Sequence, residues 1–146
     1  MQTKWSILLW VLTVSALILG GCGQTKAQEV SVDVSCDDFS EIQSIAQEVQ
    51  VPVDSLLVVT LCSNPTTGFE WEQAKIGDQN VLKETSHEFI SPDEIKTAPR
   101  VGAAGQEVWT FRALKAGTST ISIAYSRPWE GGEKATWTYE LQVVVK

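Results

Sequence analysis

From Trp109 to Val145 the apolar residues fall on every second position, and that spacing commits the chain to extended structure with one buried face. Trp109, Phe111 and Ala113 alternate with Thr110 and Arg112. Ile121, Ile123 and Tyr125 alternate with Ser122 and Ala124, and Trp137, Tyr139, Leu141, Val143 and Val145 with Thr138, Glu140 and Gln142. Successive side chains of a strand point to opposite faces, so each run presents an apolar face on one side and a polar face on the other. The same period runs through Val30, Val32 and Val34, through Val49, Val51 and Val53, and through Leu57, Val59 and Leu61; Phe69 and Trp71 bracket Glu70.

Helical spacing is poor by comparison. Only Phe39 to Ala46 has room for a turn or two, without a sustained apolar stripe. Pro52 has no N–H for a ladder, which assigns its run to an edge or a bulge. Asp54-Ser55, Ala116-Gly117-Thr118 and Gly131-Gly132-Glu133 are turn candidates. Seven or eight short strands at this spacing predict an all-β, immunoglobulin-like antiparallel sandwich. Trp71, Trp109 and Trp137 are assigned to its core.

The amino end is read separately. Lys4 precedes a mostly apolar stretch from Trp5 to Leu19, and Leu19-Gly20-Gly21-Cys22 has the form of a bacterial lipoprotein signal. Residues 1–21 are therefore expected to be removed, Cys22 to carry lipid, residues 22–28 to form a polar leash and residues 29–146 to form the domain. The stretch is short for a transmembrane anchor. The expected location is outside the cytoplasm, at the cell surface or in the periplasm, and Gly23 in place of Asp favours the outer side where two membranes exist.

The formal net charge of −7 becomes −8 once Lys4 is lost. This argues against nucleic acid as a partner and for a soluble monomer. With Cys22 committed to lipid, Cys36 and Cys62 remain, and an even pair in an exported domain reads as a disulfide stapling the base of the loop that follows. Two buried free thiols are the alternative.

His87 is the only histidine, with no motif around it, so neither a Cys-His nor a Ser-His nucleophile is legible and no zinc site can be assembled. Asp37-Asp38 and Asp93-Glu94 are acidic pairs of the kind that is usually just solvated. No cofactor, metal or catalytic residue is expected.

Three connecting segments are chemically odd. The first, Asn64-Pro65-Thr66-Thr67-Gly68-Phe69, spends Asn, Pro, Gly and two hydroxyls on one tip, where an ordinary turn needs one such residue. The second, Gly102-Ala103-Ala104-Gly105, is small and smooth. The third, Arg127-Pro128-Trp129, exposes a large indole. Counting Val49–Val53 as the first main strand and Ser55–Cys62 as the second, the segments follow the second, fourth (Val81–Ile90) and sixth strands. In a sandwich those connections gather at one end, where three tips on a rigid frame make a binding surface.

The run Leu61-Cys62-Ser63-Asn64-Pro65-Thr66-Thr67-Gly68-Phe69-Glu70-Trp71, followed by Val101 to Gly105 and by Tyr125-Ser126-Arg127-Pro128-Trp129, resembles the chagasin-type inhibitors, family I42, of papain-like cysteine peptidases. The resemblance covers roughly Val49 to Lys146. It departs from the family pattern GAGG at Ala104, which restricts positive φ there. The resemblance implies a reversible, non-covalent inhibitor whose three loops enter the peptidase cleft. Thr66 and Thr67 would sit over the thiolate, with Gly102 to Gly105 and Arg127 to Trp129 against the walls and Trp129 as the anchor. The alternatives are a surface-tethered adhesion or assembly module using the same tips, and, less favoured for want of aromatics on the other loops, a carbohydrate-binding sandwich.

Overall fold

The computed structural model describes residues 27–92 and 103–146. Cys22 and the signal segment, Asp93-Glu94, Val101 and Gly102 lie outside them. Among the described residues nine strands and one short α-helix follow in the order β1 (Glu29–Val34), α1 (Cys36–Glu41), β2 (Ser44–Val51), β3 (Leu56–Ser63), β4 (Glu70–Trp71), β5 (Lys75–Ile76), β6 (Leu82–Ile90), β7 (Gly105–Ala113), β8 (Gly117–Ser126) and β9 (Trp137–Val145). One sheet has the order β1-β3-β7-β6. The other runs β2-β9-β8-β4, with β5 also on β8.

The two sheets face each other with the alternating residues between them. Leu57, Val59, Leu61, Trp109, Phe111, Ala113, Ile121, Ile123, Tyr125, Tyr139, Leu141, Val143 and Val145 are buried, and Trp137 is half-buried against them. This is the expected sandwich with two additions. The edge pairs β1–β3 and β2–β9 run parallel, and the two-residue strands β4 and β5 bring the count to nine.

The run before Pro52 is an edge strand, as expected, and Pro52 follows its last residue, with no bulge. Val53 therefore falls outside the strand and is exposed, although its N–H bonds the Lys146 carbonyl at 2.9 Å. The helical turn also begins earlier than the apolar spacing indicates. Ser35 caps α1, its hydroxyl accepting from the Asp38 N–H while the Asp38 carboxylate accepts from the Ser35 N–H at 2.9 Å, so capping chemistry decides the start. The Ser35 hydroxyl also donates to the Asp38 carboxylate at 2.6 Å, and this bond first, then that from the Ser35 N–H, holds the Asp38 carboxyl below the usual carboxylate range. Ala46 belongs to β2.

Phe39, the one buried residue of α1, stacks on Trp137 at 5.1 Å and tilts against Trp71 at 5.2 Å. Cys36 and Cys62 form a disulfide, with Cα atoms 5.1 Å apart. It fixes α1 to β3 one residue before the strand ends, directly beneath the Asn64 loop.

Candidate functional site

Strand register brings the three odd segments together. The last pair between β3 and β7 is Ser63 with Gly105, so the first loop leaves its sheet beside the end of the second. The first pair between β4 and β8 is Glu70 with Ser126, so the first loop arrives on the other sheet beside the start of the third. The first loop thus bridges the two sheets at one end of the sandwich, flanked by the second on one side and the third on the other. Of the second, Ala103, Ala104 and Gly105 are described; Gly105 is buried as the first residue of β7 and Ala104 is exposed.

The first loop is a closed turn. Pro65–Thr67 form one turn of 3-10 helix, in which Thr67 N–H donates to the Asn64 carbonyl at 3.1 Å and Gly68 N–H to the Pro65 carbonyl at 3.0 Å. The chain leaves through Gly68 at φ 79°, a left-handed conformation that glycine adopts without the Cβ penalty. The Thr66 hydroxyl donates to Asn64 Oδ1 at 2.6 Å and the Thr67 hydroxyl to the Asn64 carbonyl at 2.7 Å. Both threonines are exposed, but their hydroxyl protons and the carbonyls of Asn64 and Pro65 are used within the turn. At its base Asn64 N–H donates to the phenolic oxygen of Tyr125 at 2.9 Å, a bond across the sandwich between opposite sheets.

The third loop folds over the first. Trp129 is 51% exposed, yet one edge of its indole rests on Gly68: a Cβ there would meet Trp129 Cη2 at 2.9 Å. The Arg127 guanidinium lies 4.5 Å from the Phe69 ring centre and 5.7 Å from that of Trp129, which places a cation between aromatic groups of the two loops. The guanidinium charge thereby holds two loops together. Arg127 N–H bonds the Glu133 carbonyl at 2.8 Å, Gly132 N–H the Trp129 carbonyl at 3.1 Å, and Lys134 Nζ donates to the carbonyls of Arg127 and Trp129. Trp129 is consequently neither a core residue nor a free one.

Lys134 and Tyr125 do this work without having been singled out as site residues. Tyr125 was visible only as a core position and Lys134 only as one charge in a Gly-rich turn. His87, isolated in the sequence, has partners in space. Its Nε2 lies 2.8 Å from Glu107 Oε2, and its ring stacks on Trp109 at 4.4 Å. Glu107, 7% exposed, accepts from the Ser63 hydroxyl at 2.8 Å through its other oxygen. The serine is buried and bonds the carboxylate rather than the imidazole, so this trio joins strands and has no nucleophile geometry.

A two-sheet frame that carries preorganised loops at one end defines a binding protein. The chain belongs to the chagasin family of peptidase inhibitors, I42, whose profile matches residues 50–143; it is a peptidase inhibitor, not an enzyme. It is 30% identical over 102 residues to amoebiasin-2 of Entamoeba histolytica, covering 67% of this chain and 76% of that protein. It is 35% identical over 85 residues to chagasin of Trypanosoma cruzi, covering 56% of this chain and 73% of that one. Its fold is similar to that of the cysteine protease inhibitor EhICP2 from Entamoeba histolytica, with a TM-score of 0.60 at 20% identity over 83% of this chain and all of that one. It is also similar to PbICP-C, solved in complex with falcipain-2, with a TM-score of 0.50 at 13% identity over 82% of this chain and 98% of that one.

Proposed function

We propose that this protein inhibits papain-like cysteine peptidases by seating the Asn64–Phe69 turn in the catalytic cleft, with the Ala103–Gly105 side and the Arg127–Trp129 loop against the two walls. The observation that carries this reading is the docking of Trp129 on Gly68. It makes two loops, remote in sequence, one shaped body with an exposed aromatic face. Membership in a peptidase-inhibitor family, and a relative named as a cysteine protease inhibitor, support the choice of target.

A papain-like peptidase attacks a substrate carbonyl with a thiolate activated by an imidazole in an open groove. Attack needs the carbonyl in line at roughly 3–3.5 Å. In the turn the carbonyls of Asn64 and Pro65 are held in internal hydrogen bonds, so those two peptides are not offered for attack and the exposed threonine side chains stand at the tip. The turn is already ordered, so little conformational entropy is lost on docking. Inhibition is then reversible and leaves the inhibitor intact. The test is steady-state inhibition of papain by the purified protein, with mass spectrometry of the inhibitor afterwards. Tight inhibition with an uncut chain is expected, and full papain activity at micromolar protein would contradict it.

The same reading includes a tether. Leu19-Gly20-Gly21-Cys22 has the pattern of a lipoprotein signal, and a lipid on Cys22 would hold the domain at a membrane outside the cytoplasm. The strand geometry suits this: β1 runs parallel to β3, and Glu29 pairs with Leu56 at the end of the sandwich opposite the loops. A lipid anchor just upstream would leave the wedge pointing away from the membrane. Incorporation of labelled fatty acid, abolished by Cys22→Ala with release of soluble inhibitor, is the expected result; unlabelled wild-type protein would refute the anchor.

A further inference from the structure

Phe89 shares the loop end of the sandwich with Trp129. It is 44% exposed and stands on β6, the outermost strand of its sheet, one residue before that strand ends and the second loop begins. The ring is held in place. A Cβ built on Gly105 would lie 2.7 Å from Phe89 Cζ and 2.8 Å from Cε2, and would also collide with the Ile90 carbonyl. The ring tip therefore rests on the bare Cα of Gly105, as the Trp129 indole rests on Gly68. Across the ladder Phe89 pairs with Glu107, whose carboxylate is fixed by Ser63 and His87. The phenyl ring is an exposed aromatic on a rigid base.

We propose that Phe89 is a fourth contact of the inhibitory surface, packing against an apolar side chain on the wall of the peptidase cleft that faces the second loop, and that it sets preference among papain-like peptidases. The inference deepens the inhibitory reading above and rests on it. The first loop leaves beside Gly105 and arrives beside Ser126, so Phe89 stands on one flank of the turn and Trp129 on the other. A wedge with an aromatic on each flank grips both walls. Aromatic side chains bury large area for few rotors lost, which is why such residues dominate contact energies. The catalytic residues of papain-like enzymes are shared, whereas the side chains of the cleft walls differ, so a flank contact discriminates where the tip cannot.

The test uses the full chain carrying Phe89→Ala, with Trp129→Ala and the double variant, assayed by inhibition constant against papain and two cathepsin-type endopeptidases. The expected result is a rise of tenfold or more for papain with Phe89→Ala, carried mainly by faster dissociation. The loss should differ by more than threefold between the three enzymes, and the Phe89 and Trp129 effects should be additive, as expected for separated contacts. Phe89→Leu, which keeps apolar cover on Gly105 but removes the ring, should show the same selectivity change; it decides the question if the alanine variant does not fold. Inhibition constants within twofold of wild type for folded Phe89→Leu overturn the proposal while the inhibitory reading stands. Equal losses on all three enzymes overturn it also, since a structural defect acts uniformly. So does a wild-type dimer, seen by light scattering, that Phe89→Leu dissociates without changing inhibition, because the ring would then serve a second copy along the β6 edge. If the wild-type protein inhibits none of the enzymes, the inhibitory reading itself has failed.

Discussion

Trp129 lies so closely across Gly68 that a side chain there would have to displace the indole: an added Cβ would sit 2.9 Å from the indole Cη2. Gly68 is thus required twice, once because its φ of 79° is left-handed and once because the third loop occupies the space where a side chain would be. The two loops are far apart in the sequence, residues 64–69 and 127–129, and behave as one element.

Gly68→Ala should therefore harm function more than stability. A residue forced into positive φ costs on the order of 1 kcal/mol, which lowers the melting temperature by a few degrees. Displacing the indole should raise the inhibition constant for papain by at least tenfold. Inhibition titration and a thermal melt on the same sample check both halves.

Trp129→Ala should separate binding from folding still further. The indole is half exposed and lies outside the core, so its loss should leave the melting temperature within a few degrees of wild type. Truncating an interface anchor costs about 2 kcal/mol or more, equivalent to roughly 30-fold in affinity. A large stability loss at unchanged affinity would give the ring a purely structural role.

Tyr125→Phe removes the acceptor of the Asn64 N–H. A donor left unpaired at a part-buried site costs about 1–3 kcal/mol. Faster amide hydrogen exchange at Asn64, together with weaker inhibition, is expected. Unchanged exchange would mean that the tip does not depend on the opposite sheet.

Replacing Cys36 and Cys62 together by alanine should destabilise the domain by about 3 kcal/mol, the usual range for a bridge closing a loop of this length. Urea denaturation with and without the bridge measures it. Because Cys62 lies two residues before Asn64, a rise in the inhibition constant should accompany the loss; reduced stability with full potency would show that the staple serves the fold alone.

Much of this was legible in the sequence. Alternation at Trp109 to Ala113, Ile121 to Tyr125 and Trp137 to Val145 gave the strands and their buried faces, because a half-buried strand writes its geometry into every second residue. The clustering of the three loops followed from counting strands. What could not be read were contacts made by shape across long separations. Trp129 on Gly68 and Phe89 on Gly105 each join a ring to an absent side chain, and an absent side chain leaves no pattern. Glu107 meets Ser63 and His87 on its two oxygens, partners brought from other strands that its position in the sequence does not announce. The parallel pairing of β1 with β3 and of β2 with β9 was equally hidden, since alternation fixes which face a strand buries but not the direction of its neighbour.

The most direct measurement is titration of active-site-counted papain with the purified protein, followed by intact-mass analysis of the mixture. One inhibitor per peptidase, recovery of activity on dilution and an uncleaved chain are predicted. Full peptidase activity at micromolar protein, or a cut between Asn64 and Phe69, would contradict the wedge.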